Sequence, residues 1–238
     1  MIPRTKVNYS LAGLARAAIV SEKDGQCRHE LTRRLADRFE TRHILLTGSG
    51  RGALYILLCA LPQRRVLVPA YTCKAVIEAA RLAGKEILYG ESEECGFNMT
   101  PQALKGSLDQ ETILVATHQF GIPCDIHCML EIARARGAFV IEDAAASLGS
   151  RIRGRLTGSF GDAAFFSFDS TKLVNVPLKA GFLLVRDPDV FRRCQDFVQS
   201  NCRPMPLLRK LHYLLLGAIL IGLEQPSVYR LFHNIKFE

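Results

Sequence analysis

The stretch AFVIEDAAASLGSRIRGRLTGSFGDAAFFSFDSTKLVNVPLKAGFLL, residues 138–184, decides the fold of this chain. Its apolar run at residues 139–141 ends abruptly in Glu142 and Asp143. A buried parallel strand is apolar along its length, and open α/β sheets bind ligands at the carboxyl ends of such strands. After a turn rich in glycine, a second apolar run follows at residues 163–168. The two runs therefore predict two strands of one sheet, the first with acids at its carboxyl end.

The second strand runs out into Ser170, Thr171 and Lys172, so a lysine is predicted in the same crevice as Asp143. One cofactor chemistry needs both groups: pyridoxal phosphate (PLP) takes a lysine amine for its Schiff base and a carboxylate against its pyridinium nitrogen. Taken singly, Asp143 would also suit a turn cap and Lys172 a surface position. Together they make PLP the cofactor that the residues favour.

Upstream, a glycine-rich turn at residues 47–52 joins a predicted strand at residues 44–46 to a helix that begins with ALYILLCAL. Such a turn presents backbone N–H groups and the positive end of the helix dipole, which suits a phosphate. The spacing is neither G-x-G-x-x-G nor the lysine-bearing P-loop, so neither a dinucleotide nor a nucleoside triphosphate site is supported. By itself the turn is also compatible with a plain strand-to-helix connection.

Predicted strands and helices alternate along the chain. Apolar runs predict strands at residues 65–69, 86–89 and 113–116, and helical periodicity appears after residue 28 and again at residues 74–83. This alternation indicates an α/β fold with three layers, a mainly parallel sheet with helices on both faces. A chain of 238 residues is long enough for one large domain and a tail.

Composition narrows the classes of partner. The formal net charge of +8 favours anionic partners such as a phosphorylated cofactor, a nucleotide-linked substrate or an acidic membrane surface. The arginines are scattered and no basic module carries interleaved aromatic residues, so nucleic-acid binding is not predicted. The eight cysteines are irregularly spaced and the chain opens without a secretory signal, which indicates reduced thiols in the cytoplasm.

One group of residues has the composition of a zinc site. Cys124, His127 and Cys128 lie close together in the sequence, with His118 nearby. The group lacks a second cysteine pair, and the apolar residues around it predict the core face of a helix. No metal is therefore predicted.

Several linked motifs carry a family resemblance. The runs VIEDAAASLG and GSFGDAAFFSFDSTK, preceded in order by LLTGSGRGAL, VLVPAYTCKAVIEAARLAG and ATHQFGIPCD, resemble the PLP-dependent sugar aminotransferases of the DegT/StrS type, which have fold-type I. The resemblance covers residues 28–195. Several motifs in the same order are more specific than any one of them alone.

The resemblance implies roles for individual residues. Lys172 would hold the cofactor and transfer the proton between cofactor and substrate carbons. Asp143 would keep the pyridine nitrogen protonated. The cofactor's phosphate would be bound by Ser167 together with the glycine-rich turn, that is, by Ser49, Gly50 and Arg51. Arg51 replaces the small hydroxyl residue that is usual there, and would either add a charge to the phosphate contact or crowd the site.

Two further residues are placed beside the cofactor by the resemblance. Cys73 stands where the family usually has an aromatic residue stacked on the pyridine ring, with Tyr71 close by. His118 matches the histidine of the family's V-H-x-x-G motif. From the residues alone, a small buried thiol and a structural histidine are the ordinary interpretations. Lys179 competes with Lys172, but only Lys172 lies in the Ser-Phe-x-x-x-Lys context.

The resemblance implies a cytoplasmic, homodimeric enzyme of surface polysaccharide biosynthesis. Such an enzyme transfers an amino group from an amino acid such as glutamate to a keto-sugar attached to a nucleotide. The family's dehydratase branch resembles the rest but lacks the lysine found here as Lys172, so the sequence argues against that branch.

Three departures from the family pattern support an alternative function. Ala146 replaces a glutamine or histidine, Pro177 and Lys179 interrupt an expected glycine-rich turn, and the chain ends before the small C-terminal domain that helps close the substrate site. The alternative is a non-catalytic homologue that acts by pairing with a full-length partner or at a membrane surface.

The last part of the chain differs in composition from the rest. Residues 1–200 are predicted to form the PLP-dependent transferase-like large domain, and residues 201–238 a helical, apolar tail. The apolar run that extends from Leu211 to Leu223 is shorter than the ~20 residues that a membrane-spanning helix needs. It would either lie in a membrane interface, as a peripheral contact, or form a buried helix.

Overall fold

The computed structural model describes residues 7–19, 25–177 and 179–223, together with Gln225 and Val228. The helices in these residues are α1 (Leu11–Ile19), α2 (Gln26–Phe39), α3 (Gly50–Ala60), α4 (Lys74–Leu82), α5 (Ile126–Ala135), α6 (Pro188–Asn201) and α7 (Leu207–Leu223). The strands are β1 (Ile44–Thr47), β2 (Arg65–Pro69), β3 (Glu86–Gly90), β4 (Thr112–Thr117), β5 (Phe139–Asp143), β6 (Arg151–Ile152), β7 (Arg155–Leu156), β8 (Ala163–Ser167) and β9 (Gly181–Val185). Pro101–Leu104 and Gln119–Gly121 are short 3₁₀ helices.

Seven of the strands form one sheet in the order β1-β9-β8-β5-β4-β2-β3. Its strands β3, β2, β4, β5 and β8 are parallel. Strand β9 is antiparallel to both of its neighbours, β1 and β8. Strands β6 and β7 form a separate hairpin within the connection from β5 to β8. The predicted α/β class with a mainly parallel sheet is confirmed, whereas the sequence analysis did not identify the antiparallel strand.

Helices cover both faces of the sheet. On one face, Val66 and Ile141 belong to a core that includes residues of α3, α4 and α6. On the other face, Val140 packs with α5, while Phe166 and Phe182 pack with the end of α2. Adjacent strand residues point to opposite faces, so each parallel strand contributes to both cores. The three-layer arrangement follows from this double burial.

The carboxyl ends of β4, β5 and β8 meet at one edge of the sheet. The register pairs Thr117 with Asp143, and Asp143 with Phe165, which is two residues before Ser167. Residues that directly follow these strands therefore converge on the same crevice, as the positions of Asp143 and Lys172 in the sequence predict.

Close backbone packing fixes the start of α3 against β8 and β9. A Cβ atom at Gly181 would lie 2.5 Å from the carbonyl oxygen of Phe166 and 2.7 Å from the backbone nitrogen of Gly50. Contacts this short with backbone atoms leave no space for a side chain. Glycine at position 181 thus allows the Ser49–Gly50 turn to reach the end of β8.

Helix α7 occupies the described part of the predicted tail and packs on α1. A Cβ atom at Gly217 would lie 3.0 Å from Pro177 and 3.3 Å from Leu14. The outer side of α7 is apolar and exposed, with Leu208 82% exposed. No helix in the described ranges is both long and apolar enough to cross a bilayer. The boundary between residues 1–200 and 201–238 stays a prediction.

Replacing Gly181 with alanine is expected to lower the free energy of unfolding by ~1–3 kcal/mol, because the added methyl group overlaps backbone atoms of Phe166 and Gly50. Chemical denaturation measures this change. The control is Gly222→Ala in α7, where a Cβ meets nothing within 4 Å and alanine favours the helix. Equal stabilities for the two variants would contradict the packing described for Gly181.

Candidate active site

One cavity of about 390 Å³ lies at the carboxyl edge of β4, β5 and β8. This volume is within the usual range for small-molecule sites. All of the predicted site residues line it, namely Ser49, Gly50, Arg51, Cys73, His118, Asp143, Ser167 and Lys172. The fold thus brings together residues from five separate segments of the chain.

Asp143 is the buried acid of the cavity, with 5% of its surface exposed. Its Oδ1 accepts a hydrogen bond from the backbone N–H of Ala145 at 3.0 Å. Its Oδ2 accepts none from any residue that the structure describes. Burial raises the pKa of Asp143; the Ala145 N–H, Lys172 and His118 oppose this increase but do not cancel it. A buried carboxylate with an unused oxygen at a cavity wall suits a cationic N–H donor.

Lys172 lies in the turn that follows β8. Its backbone N–H donates to the carbonyl of Asp169 at 2.9 Å, and its own carbonyl accepts from the side-chain amide of Asn175 at 3.1 Å. The positive charge of Lys172 lowers the pKa of Asp143, in opposition to burial. Lys179 also lines the cavity. The geometry therefore admits both lysines, and the preference for Lys172 rests on its sequence context.

The start of α3 forms the anion-binding end of the cavity. Ser49 caps the helix, and its Oγ accepts from the N–H of Gly52 at 3.0 Å. The N–H groups of Gly50 and Arg51 have no acceptor in the described part of the chain. A Cβ atom at Gly50 would lie 2.9 Å from the Cβ of Ser167, so the helix start and the end of β8 are in contact. Free N–H groups, a helix dipole and a hydroxyl together suit a phosphate.

Arg51 faces the same cavity but already has an acidic partner. One nitrogen of its guanidinium lies 2.7 Å from a carboxylate oxygen of Glu78 on α4. The side chain is 47% exposed, so the pair contributes little to stability. The predicted phosphate contact of Arg51 stays a prediction, and Glu78 would share the charge.

His118 has no ring nitrogen available to the cavity. Its Nδ1 accepts a hydrogen bond from the backbone N–H of Cys124 at 3.2 Å, so its Nε2 carries the proton and donates to Glu142 at 3.0 Å. The ring is buried and forms part of the cavity wall. Both ring nitrogens of His118 are therefore occupied by protein groups, and whether His118 contacts a cofactor stays a prediction.

Glu142 is the important residue that the sequence analysis left without a role. Its carboxylate is fully buried and accepts backbone N–H bonds from Gly158 at 2.7 Å, Phe160 at 2.5 Å and Gly161 at 2.7 Å. It does not line the cavity, since it points to the opposite face of the sheet from Asp143. The sequence signal was an acid next to the strand-end Asp143, followed by a glycine-rich segment.

The position expected for a stacking aromatic residue holds only Cys73. Cys73 lines the cavity, directly before α4. Tyr71 is not among the described residues that line the cavity, since its ring packs against Phe97 at 5.5 Å and Phe120 at 6.1 Å. The sequence placed Tyr71 close to the site, but its ring packs outside the cavity.

Some lining residues were not identified from the sequence: Thr117, Gln119, Asp169 and Thr171. The Oγ1 atom of Thr117 is buried without a hydrogen-bond partner among the described residues. Thr117 ends β4, and the other three lie two to four residues after the end of β4 or β8, so knowledge of the strand register would have identified them.

In the cysteine and histidine group near α5, Cys124 and His118 are buried, whereas Cys128 is half-buried and His127 is exposed. Burial raises the pKa of the Cys124 thiol to about 12, and the ring of His127 packs against Phe160 with the ring centroids 5.2 Å apart. Within the described residues, no three side chains of the types that bind metals lie close enough together to hold an ion.

Comparison with known proteins identifies the family. Residues 11–216 match the DegT/DnrJ/EryC1/StrS aminotransferase family. The chain belongs to this family. The resemblance inferred from the motifs is confirmed, and the match covers most of the chain.

Several curated relatives have names that include a sugar linked to GDP or UDP. GDP-perosamine synthase from Escherichia coli O157:H7 is 28% identical over 168 residues, which make up 69% of this chain and 46% of that protein. The UDP-N-acetyl-3-dehydro-alpha-D-glucosamine 3-aminotransferase of Acidithiobacillus ferrooxidans is 30% identical over 150 residues, 61% of this chain and 41% of that protein. The chain thus spans less than half the length of these curated relatives.

A solved structure with the same fold is the sugar aminotransferase CalS13 from Micromonospora echinospora. It superposes with a TM-score of 0.74 and 23% identity, over 83% of this chain and 57% of that one. The fold-type predicted from the resemblance is confirmed by this likeness.

The raised pKa of Asp143 makes a pH-dependent prediction for the cofactor-free protein. The folded state favours the protonated carboxyl, so the contribution of Asp143 to stability is greatest below the unfolded pKa of ~3.9 and is lost as pH rises through the raised folded pKa. Asp143→Asn keeps an oxygen for the Ala145 N–H and does not titrate. We therefore expect the variant to gain stability relative to the wild type as the pH rises from pH 4, close to the unfolded pKa of ~3.9, to pH 8.

Thermal unfolding of the cofactor-free wild type and of Asp143→Asn at both pH values measures this effect. Asp189→Asn is a suitable control, because Asp189 is an exposed acid at the start of α6. A difference between wild type and Asp143→Asn that does not change with pH would contradict the effect of burial on Asp143.

Proposed function

We propose that this chain binds PLP in the cavity between β5, β8 and α3 and transfers an amino group from an amino acid to a nucleotide-linked keto-sugar. The observation that carries the proposal is the convergence of Asp143, Lys172 and the free N–H groups of Gly50 and Arg51 on one cavity. Family membership and related structures that hold PLP or its amino form PMP, such as NtdA from Bacillus subtilis, indicate PLP as the cofactor.

The residues present fit PLP in charge and in shape. The unused Oδ2 of Asp143 would accept a hydrogen bond from the pyridinium N–H. The phosphate would bind at the start of α3, to Ser49, to the N–H groups of Gly50 and Arg51, and to Ser167 on β8. Gly50 is needed there, since a side chain would overlap Ser167. Cys73 and His118 would form walls on either side.

Each proposed role follows from the environment of the residue. When bound, PLP supplies an electron sink for the carbon that carries the amino group. The Nζ of Lys172 would hold the cofactor and, once released, move a proton between cofactor and substrate carbons. The buried Asp143 would gain an opposite charge in the pyridinium, and that charge stabilises the ionised carboxylate.

The substrate, donor and cellular setting are further parts of the proposal. The names of the relatives support a sugar linked to GDP or UDP, and glutamate is the donor that we propose. We also propose a homodimer in the cytoplasm, acting in surface polysaccharide biosynthesis, with residues 1–200 as the large domain. The tail at residues 201–238 would include a peripheral membrane contact between Leu211 and Leu223.

One observation favours the second candidate, a non-catalytic homologue that pairs with a full-length partner. The apolar outer side of α7 is exposed along its length, at Leu208, Leu211, Leu215 and Ile219. Such a face is more often covered by protein than left in water. Turnover distinguishes the candidates: the purified chain alone is expected to aminate a GDP- or UDP-linked keto-sugar with glutamate. Cofactor binding without turnover would favour the second candidate.

Borohydride trapping tests the cofactor site directly. The chain with added PLP is expected to show an absorption band in the visible range from the covalent link between PLP and lysine. Reduction with borohydride followed by peptide mapping should place the label on Lys172. Lys172→Arg should abolish the absorption band, because arginine cannot form the covalent link.

Lys179→Arg is the matched control, since Lys179 lines the same cavity and the change keeps its charge. This variant should keep both the band and the label. A label on Lys179, or one scattered over surface lysines, would refute the role proposed for Lys172.

A further inference from the structure

A second cavity, of about 560 Å³, lies away from the first and shares none of its lining residues. Arg186, one of the residues that line it, directly follows β9. The last residue of β9, Val185, pairs with Ala163 at the amino end of β8, whereas Ser167 is at the carboxyl end and lines the first cavity. A strand rises ~3.3 Å per residue, so roughly 13 Å separates the two ends of β8.

The second cavity is strongly cationic. Five arginines from three parts of the chain line it: Arg38, Arg151, Arg153, Arg155 and Arg186. Glu40 is the one acid among the described residues that line it. In the part of the chain that the structure describes, none of the five arginines forms an ion pair with an acid. The cavity therefore has a local excess of positive charge.

Two of the guanidinium groups are held together by the backbone. Arg155 and Arg186 both donate to the carbonyl oxygen of Ser159. Arg155 also donates to the Oγ of Ser159 at 3.0 Å, and Arg186 donates to the carbonyl of Gly161 at 2.9 Å. The Arg155 guanidinium also lies over the ring of Phe160, 4.6 Å from the ring centre.

The closeness of these charges has an electrostatic consequence. The pKa of Arg186 is lowered by burial and, secondly, by the positive charge of Arg155, whereas Glu142 and Asp162 oppose this decrease without cancelling it. Two like charges on one carbonyl repel each other, and an anion that contacts both would remove this repulsion. Guanidinium groups match the oxygens of a phosphate with paired N–H donors, and a preorganised pair loses little entropy when it binds.

We propose that this arginine cavity binds a compound with several phosphate charges, such as inorganic pyrophosphate or the diphosphate of a nucleotide. The apolar residues that line it, Phe39 and Leu156, are 3% and 6% exposed, so they offer a nucleobase little surface for stacking. Recognition is therefore of the phosphates and not of the base. The site is independent of the proposed PLP cavity and of the amino-transfer reaction.

Isothermal titration calorimetry with pyrophosphate, GDP and UDP tests the proposal. The protein is first loaded with PLP and reduced with borohydride, which blocks the phosphate position of the first cavity. All three ligands are expected to bind with dissociation constants within threefold of one another. Affinity should fall steeply with added salt, because the contacts are ionic.

The test variant is Arg38→Gln with Arg153→Gln. Neither guanidinium donates a hydrogen bond to any described residue, so the change removes two charges and leaves the bonds to Ser159 and Gly161 in place. Pyrophosphate affinity should fall at least tenfold. The control is Arg64→Gln with Arg192→Gln, which removes two exposed charges elsewhere, 89% and 71% exposed, and should change affinity less than twofold.

Three results would overturn the proposal. Equal losses in both double variants would show attraction by the net charge of the chain alone. Loss of binding on PLP loading would place the anion in the first cavity. No heat of binding for the wild type at low salt would show that the cavity binds none of these compounds. Circular dichroism and the unfolding midpoint confirm that each variant is folded.

Discussion

The hydrogen bonds to the buried carboxylate of Glu142 are the interactions on which the surroundings of the site depend, because they hold the connection from β5 to β8 and the ring of His118. This carboxylate is fully buried and accepts hydrogen bonds from three backbone N–H groups of residues 158–161 and from His118. A carboxyl group without water is stable only when hydrogen-bond donors replace its hydration, and four donors do so here. Because Glu142 is part of β5, these hydrogen bonds attach the connection between β5 and β8 to the sheet. They also fix the ring of His118, which forms a wall of the first cavity.

The neighbouring residue Asp143 lies on the opposite face of the same strand and has far fewer hydrogen-bond donors around it. Successive residues of a strand face opposite sides, so Asp143 points to α3 and the cavity while Glu142 points to the connection. Asp143 receives one hydrogen bond from the described residues, and burial raises its pKa. Two adjacent acids thus differ in environment, because the fold gives four donors to one and a single donor to the other. In the function that we propose, the pyridinium N–H would be the second partner of Asp143.

The sequence predicted the parts of this arrangement that depend on local pattern. Apolar runs and turn residues identified β2 and the ends of β5 and β8, and linked motifs identified every residue proposed for the site. What it could not predict depends on long-range pairing. Strand β9 pairs antiparallel with β8 and β1, and Gly181 packs against Phe166 and Gly50; no local signal in the sequence encodes this pairing or this contact. Likewise, only the fold shows that both nitrogens of His118 are occupied and that the ring of Tyr71 packs outside the cavity.

The arginines of the second cavity show most clearly what the sequence alone cannot predict. They are scattered along the chain, and only the fold brings them together. Three of the four backbone N–H groups at residues 158–161 donate to Glu142, whereas that of Ser159 donates to Leu156. The peptide between Ser159 and Phe160 donates its N–H to Glu142, and its carbonyl accepts from Arg155 and Arg186. The carbonyl of Gly161 accepts from Arg186 as well. One short segment therefore connects β5, the strand that carries Asp143, to the arginine cavity through hydrogen bonds.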